Sequence, residues 1–388
     1  MTSARPLSLT RRNILQGAGV GAAALTVAAC SSNEPARPSP AADLSDQQRS
    51  LRVDSWETYR NTVGEDFPVL AQFAGTFGVD VTYSSAVKDD NLYYNKVKEQ
   101  LSKGQDIGSD AVVLNQWMAA RWIRLGYVQE FGLERMPNTA HIRPRFSQAA
   151  YDPQRTKSMP WRNGFTGIAW NKAELGDGLT AVSQLWDPSL KGKVGVLSSM
   201  SETMGLIMLD GGVDISGGWG DTEFAAAVEV LRGHVASGQV GAVQGANYTD
   251  DLKSGKTLAT FARSADILRL NQEAGDQWGF ALPTPGGVLW TQDLVIPIGS
   301  QRKTHVENFV NFYFDPSVAV QVAAGTNYVS PVDIRELESS ALDPAVAQNR
   351  MVFPTPITLE DAKTFRYLQS AEEQRYVSQF QTVLLAAS

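Results

Sequence analysis

Few side chains in this sequence are placed for bond-making chemistry. The three histidines, His141, His234 and His305, lie far apart, so no pair has the close helical spacing of a zinc site. Ser254-Gly255-Lys256-Thr257 has the ending of a phosphate-binding loop. Asp250, however, stands where that loop needs its first glycine, and the run precedes a strand-like segment where the motif follows one, so it reads as a lysine-bearing turn. Gly17, Gly19 and Gly21 have the look of a dinucleotide loop without the strand that must precede it. No Gly-x-Ser-x-Gly elbow occurs. Acids are common enough for two-carboxylate hydrolysis, whose geometry lies in space and not in sequence. No metal, cofactor or catalytic residue is expected. The one nucleophile that stands out is the single cysteine, Cys30, preceded by the small residues Ala28 and Ala29.

The setting of Cys30 explains it. Arg11 and Arg12 form the charged start of a twin-arginine export signal, and the Gly/Ala-rich stretch from Ile14 to Ala29 is its weakly apolar core, too short and too polar at Gln16 for a retained bilayer span. Val27-Ala28-Ala29-Cys30 resembles the lipobox of bacterial lipoproteins, in which the thiol takes a diacylglycerol and becomes the new N-terminus. Residues 1–29 are therefore expected to be a signal peptide, and the mature chain to sit lipid-anchored on the extracytoplasmic face of the cell membrane. Twin-arginine export carries folded proteins, which suits a mature body with no second cysteine for a disulfide.

Loss of residues 1–29 leaves 359 of 388 residues, enough for two cores, and takes the formal charge from −7 to −10 because Arg5, Arg11 and Arg12 leave with no acid. An acidic chain without Lys/Arg runs argues against nucleic acid. Residues 31–50 carry three prolines and no apolar period, and read as part of a flexible tether, 30–50.

From Leu51 onward short β-like runs alternate with helical ones, which is the pattern of an α/β architecture. LRVDSW, the alternating Val79-Val81-Tyr83, DAVVL, GFTGIAWN, KVGVL, TLATF and LWTQDLVIPIGS read as strands. Helices are expected around Leu70, Phe73 and Phe77, over NLYYNKVKEQLSKG with a stop at Gly104, through Phe224, Val228, Leu231 and Val235, over ADILRLNQEA, from His305 onward, and from Leu359 to the end.

Six of these runs occur together in a recognisable order: SWETY, DAVVLNQW, MPWRNGFTGIAWNK, LWDPSLKGKVGVL, GGVLWTQDLVIP and NYVSPV. Across nearly all of 51–385 the chain resembles the spermidine/putrescine-binding proteins of polyamine ABC transporters. The resemblance implies a periplasmic-binding-protein type II fold, with two lobes, a hinge and an interlobe ligand cleft. It divides the chain into 51–160 plus 291–335 for one lobe and 161–290 plus 336–388 for the other. It also implies a monomer that captures a small amine, closes, and serves an ABC permease and its ATPase.

By matching motifs, the resemblance places ligand contacts at Trp56, Tyr59, Trp117, Trp290 and Tyr328, with Glu202 as the acid that grips an ammonium. The physical logic is plain: methylenes want apolar walls, and a cation gains about 0.5–2 kcal/mol on an indole or phenol face. Glu202 has a second reading, a capping-box acid three residues after Ser199. Departures from the family pattern are as informative. Ser198 and Ser199 stand where the family keeps an aspartate, Phe261 replaces a tryptophan, and Gln292 replaces an aspartate, with Asp293 beside it on the opposite strand face unless the register slips. Arg263 is expected near the cleft, where it repels an ammonium unless paired with Glu202. These changes keep open a different nitrogenous solute, an amino acid or opine-like zwitterion, and a rival reading as a lipid-anchored hydrolase using Glu202. Trp122, Trp161, Trp170, Trp186, Trp219 and Trp278 are assigned to packing.

Overall fold

The computed structural model describes residues 37–56, 68–176, 178–245, 247–335 and 347–385. Among them nine strands make one sheet: β1 (Ser50–Trp56), β2 (Asp80–Val87), β3 (Ala111–Asn115), β4 (Met159–Asn171), β5 (Val194–Leu197), β6 (Val240–Gln244), β7 (Ala259–Arg263), β8 (Trp278–Ala281) and β9 (Val288–Val295). The longer helices are α1 (Pro68–Phe77), α2 (Asp90–Ser102), α3 (Gln116–Leu125), α4 (Met200–Asp210), α5 (Asp221–Ala236), α6 (Ser264–Ala274), α7 (Lys303–Tyr313), α8 (Pro316–Thr326) and α9 (Ser370–Leu385). None is long and apolar enough to cross a membrane.

The strand order is β2-β1-β3-β9-β4-β7-β5-β6, with β8 beside β4. β1 runs parallel to β2 and β3, and β5 parallel to β6 and β7, so helices must carry the chain back between them. β4 and β9 are the antiparallel pair that joins these two parallel halves. β4 pairs with β9 along its first part and with β7 and β8 along its second, while β9 reaches β3 on its other side. A strand flanked on both sides and both faces should lack polar alternation, and β4 is buried at every residue but its last.

Side-chain alternation sorts residues into cores. In β3, Val113 points into a cluster with Leu51, Val53, Phe73, Leu294 and Phe309, while Val112 and Leu114 point into one with Val97, Trp122 and Val295. The second half has its own core of Val196, Phe224, Leu231, Phe261, Tyr376 and Phe380. Trp161 stacks on Tyr313 at 3.8 Å in the first core, and Val352 and Phe353 join it there, although the expected division by chain position puts all three in the other half. Trp122, Trp161, Trp170, Trp219 and Trp278 are buried and Trp186 stacks on His234, as packing residues should.

Several expectations need correction. Residues 41–48 are not free tether: Ala41 and Leu44 donate backbone bonds to Ile298 and Gln301, Asp43 accepts from Thr304, and His305 Nε2 meets the Gln48 carbonyl at 2.7 Å. Residues 30–36 of the tether, Cys30 among them, lie outside the described residues. The helix expected from Leu359 is two pieces, Pro356–Asp361 and α9, parted by an irregular stretch around Phe365. β6 and β8 were not anticipated, since both are short and carry glycine.

Glycine matters at one crossing. A Cβ on Gly167 of β4 would stand 2.2 Å from the Ala281 carbonyl oxygen of β8, a backbone atom that cannot swing aside. Gly167→Ala is expected to destabilise the protein by about 1–3 kcal/mol, read as a lower midpoint in urea unfolding; an unchanged midpoint would contradict this strand spacing.

Candidate functional site

The carboxyl ends of parallel strands all reach one cleft. Trp56 ends β1, Asn115 ends β3, Ser198 and Ser199 follow β5, and Arg263 ends β7; each of these residues lines a cavity of about 1150 Å³. Open α/β sheets bind ligands at this edge, because loops there leave a crevice that packed strands do not. The volume exceeds the usual small-molecule pocket, as an open cleft between two halves should. Arg124 of α3 crosses at its rim, donating to the Tyr367 hydroxyl at 2.7 Å.

Register builds the floor. Asn115, Gln292 and Arg162 lie in one cross-strand row of β3, β9 and β4. Trp161 is an extra residue in the β4 ladder, since Pro160 pairs with Asp293 and Arg162 with Gln292, and this bulge turns Arg162 to the cleft while Trp161 goes to the core. The row is wired in one direction. Arg162 Nη2 donates to Gln292 Oε1 (2.7 Å), Gln292 Nε2 to Asn115 Oδ1 (3.1 Å), and Asn115 Nδ2 to Asp90 Oδ2 (2.8 Å). The Arg162 guanidinium lies 4.7 Å from the centre of the Tyr328 ring, so this protein's own cation covers a phenol face expected for the ligand. Trp290 meets Tyr328 edge-on, and lies across Gly164, where a Cβ would come within 2.4 Å of its indole.

The carboxylates are held very differently. Glu202 is buried and takes Arg263 through both Nε (2.8 Å) and Nη2 (2.6 Å), with the Thr166 hydroxyl at 2.6 Å. Burial alone would raise its carboxyl, but Arg263, with the Thr166 and Ser199 hydroxyls, outweighs that and holds it below its ordinary range. Ser199 makes no side-chain cap bond, so the capping-box reading does not hold. Asp293 is fully buried against Arg155 at 3.0 Å and the Tyr151 hydroxyl; burial raises its carboxyl more than Arg155 lowers it. Asp266 is taken by Arg269 and Tyr248. Asp90, at the first position of α2, is 3 % exposed, lines the cleft, and meets no lysine or arginine among the described residues. Burial pushes it up to about 7 against the pull of the Asn115 bonds, with Asp89 adding to the rise.

Of the residues singled out in the sequence, Trp56, Trp117, Glu202, Arg263, Trp290, Gln292 and Tyr328 come together around this cleft. Tyr59 lies outside the described residues. Two do not line it. Phe261 shares the face of Arg263 but sits two residues back, about 7 Å down the strand, inside the core. Asp293 alternates to the far face from Gln292, with no slip in β9 to bring it round. Sequence reasoning missed Asp90, Asn115 and Arg162. The Asp89-Asp90 doublet looks like a helix start, which it is, since Asp89 accepts from the Leu92 amide; nothing in the sequence separates the capping acid from its neighbour. No group of three potential metal ligands occurs among the described residues.

Comparison with known proteins follows the same direction. Residues 69–351 match the family described as bacterial extracellular solute-binding protein. The spermidine/putrescine-binding periplasmic protein of Escherichia coli strain K12 is 24% identical over 298 residues, covering 76% of this chain and 82% of its own length. Among solved structures, the spermidine/putrescine ABC transporter substrate-binding protein PotD from Streptococcus pneumoniae superposes with a TM-score of 0.73 at 18% identity, over 88% of this chain and 100% of that one. AgtB from Agrobacterium tumefaciens (strain R10), solved with agropinic acid, gives 0.64 at 18% identity, over 87% and 98%. The architecture is the two-lobed periplasmic-binding-protein fold.

The state of Asp90 has a measurable consequence. A carboxyl at 3.8 in the unfolded chain and about 7 in the native one binds its proton more tightly when folded, so stability is lost as pH rises between those values. Asp90→Asn removes the penalty. At pH 8 the ligand-free variant should be more stable than the parent by on the order of 4 kcal/mol at most, and near pH 4 the two should coincide. Thermal melts at both pH values check this, and equal midpoints at pH 8 would refute the buried, unpaired carboxylate.

Proposed function

Because the chain belongs to the bacterial extracellular solute-binding proteins, we propose that it is the substrate-binding component of an ABC importer and captures a small amine-bearing solute in this cleft. It is a binding protein and not an enzyme. The observation that carries the amine reading is the convergence of the indoles of Trp56, Trp117 and Trp290 on one cleft. The named ligands of its relatives, spermidine and putrescine, belong to the same chemical class. Glu202 is already neutralised by Arg263, which removes the acid a hydrolase of the rival kind needs.

Closure follows from the topology. Both halves contribute to the cleft wall, and β4 and β9 alone among the described strands join the two parallel sets, so they are the place for a hinge. A solute touching Trp117 on one side and Arg263 on the other favours the closed form by its differential affinity for it. The closed protein then passes its cargo to the permease and ATPase, working as a monomer held to the outer face of the membrane by lipid on Cys30. One observation favours a second reading, a zwitterionic nitrogenous solute: Arg263 stands in the cleft beside Glu202, its side chain 31% exposed.

Calorimetric titration with spermidine, putrescine and amino acids tests capture directly. Trp117→Ala and Trp290→Ala should each weaken the bound amine by roughly 2- to 30-fold, the range of one lost cation–ring contact. Failure of every amine and amino acid to bind removes this reading. In the native host, Cys30→Ser is expected to release the protein from the membrane fraction; retention there would dismiss the anchor.

A further inference from the structure

The cleft's charges do not match a chain of ammonium groups. Basic side chains outnumber acidic ones along its wall. The two carboxylates that should have received cations, Glu202 and Asp293, are each closed on an arginine of the protein, and Gln292 occupies the cleft-facing position where a further acid was expected. The Tyr328 face is covered by Arg162. Of the other acids on the wall, Asp266 is held by Arg269, Asp89 is exposed and caps α2, and Glu373 of α9 is partly exposed in the field of Arg124 and Arg121. The buried acid left for a positive ligand group is Asp90, which accepts hydrogen bonds only from Asn115 among the described residues. One ammonium can be matched there. A second would find only Glu373, partly exposed and already in the field of Arg124 and Arg121.

Opposite Asp90 the need is the reverse. Arg263 spends Nε and Nη2 on Glu202, while Nη1 makes no hydrogen bond to a described residue and the side chain stays partly open to the cleft. A guanidinium edge beside the already paired Glu202 suits a ligand carboxylate, which would complete a charge-alternating row.

We infer that this site takes an amino carboxylate, with its single ammonium on Asp90 of the first half and its carboxylate on Arg263 of the second. This rests on the solute-capture reading and narrows its substrate class. The ligand then bridges both halves through its two charged ends, and its methylenes lie along the indoles of Trp56 and Trp117. Two residues from different halves thereby read both ends of one molecule, which is what makes closure selective for it.

The test is calorimetric titration of the lipid-free mature protein with two probes of similar length, 5-aminopentanoate and 1,5-diaminopentane, together with spermidine. The amino carboxylate should bind at least about tenfold tighter than the diamine, since one charge-assisted contact is exchanged for an unmatched cation. Asp90→Asn should cut that affinity by about ten- to hundredfold while the variant melts no lower than the parent at pH 8. The paired change Glu202→Gln with Arg263→Gln leaves no stranded charge and should lower affinity for 5-aminopentanoate while sparing or improving that for the diamine. Diamine or spermidine binding tighter than 5-aminopentanoate, with Asp90→Asn without effect, overturns this assignment and leaves polyamine capture standing. If no probe binds, nor any amine or amino acid, the assignment and the capture reading fall together.

Discussion

The antiparallel ladder between β4 and β9 is the constraint on which the rest depends. β9 beside β3 and β4 beside β7 join the two parallel half-sheets, and because β3–β9, β9–β4 and β4–β7 are each antiparallel, the two halves run in opposite senses. Because the halves meet successive stretches of β4, with Asn115 level with Arg162 and Arg263 level with Thr166, the carboxyl ends of β1, β3, β5 and β7 open onto the same crevice. Each half keeps its own hydrophobic core, the first taking Met159, Trp161 and Leu294 from the seam strands and the second Ile168, Trp170 and Val288, so each half is internally firm. Such a body has one natural place to bind and one natural place to bend.

The same seam sets the chemistry of the floor. One extra residue in β4 puts Trp161 into the first core and Arg162 into the cleft, in register with Gln292 and Asn115. From that row the hydrogen bonds run from a guanidinium through two amides to a buried carboxylate. The row keeps opposite charges apart at its ends, and amides between them carry the polarity without cancelling it. A solute laid over this floor meets a field already ordered.

Charge neutralisation separates this cleft from a simple cation trap. Buried carboxylates are expensive unless paired, and the protein satisfies Glu202 and Asp293 with its own arginines. Both pairs stiffen the structure, because breaking one partner would strand the other. Asp90 is the exception, a group whose burial lifts its carboxyl to about 7. Its charge state therefore depends on what enters the cleft beside it.

Much of this was legible in the residues. Strand and helix periods placed most elements, since alternation and helical spacing are local, and quoted runs around Trp56, Trp117, Trp290 and Tyr328 marked rings that do share a cleft. Arg263 and Glu202 were readable as partners, because opposite charges near one crevice must either pair or repel. Composition alone set the absence of a second thiol. Three things were decided only by tertiary structure. Residues 41–48, mostly polar, are ordered by hydrogen-bond partners that lie more than 250 residues away in sequence. A bulge, which no period reveals, chose the face of Arg162. The distinction between Asp89, which caps a helix, and Asp90, which looks into the cleft, depends on Asn115 across the sheet, for a carboxylate's role is fixed by what surrounds it in space.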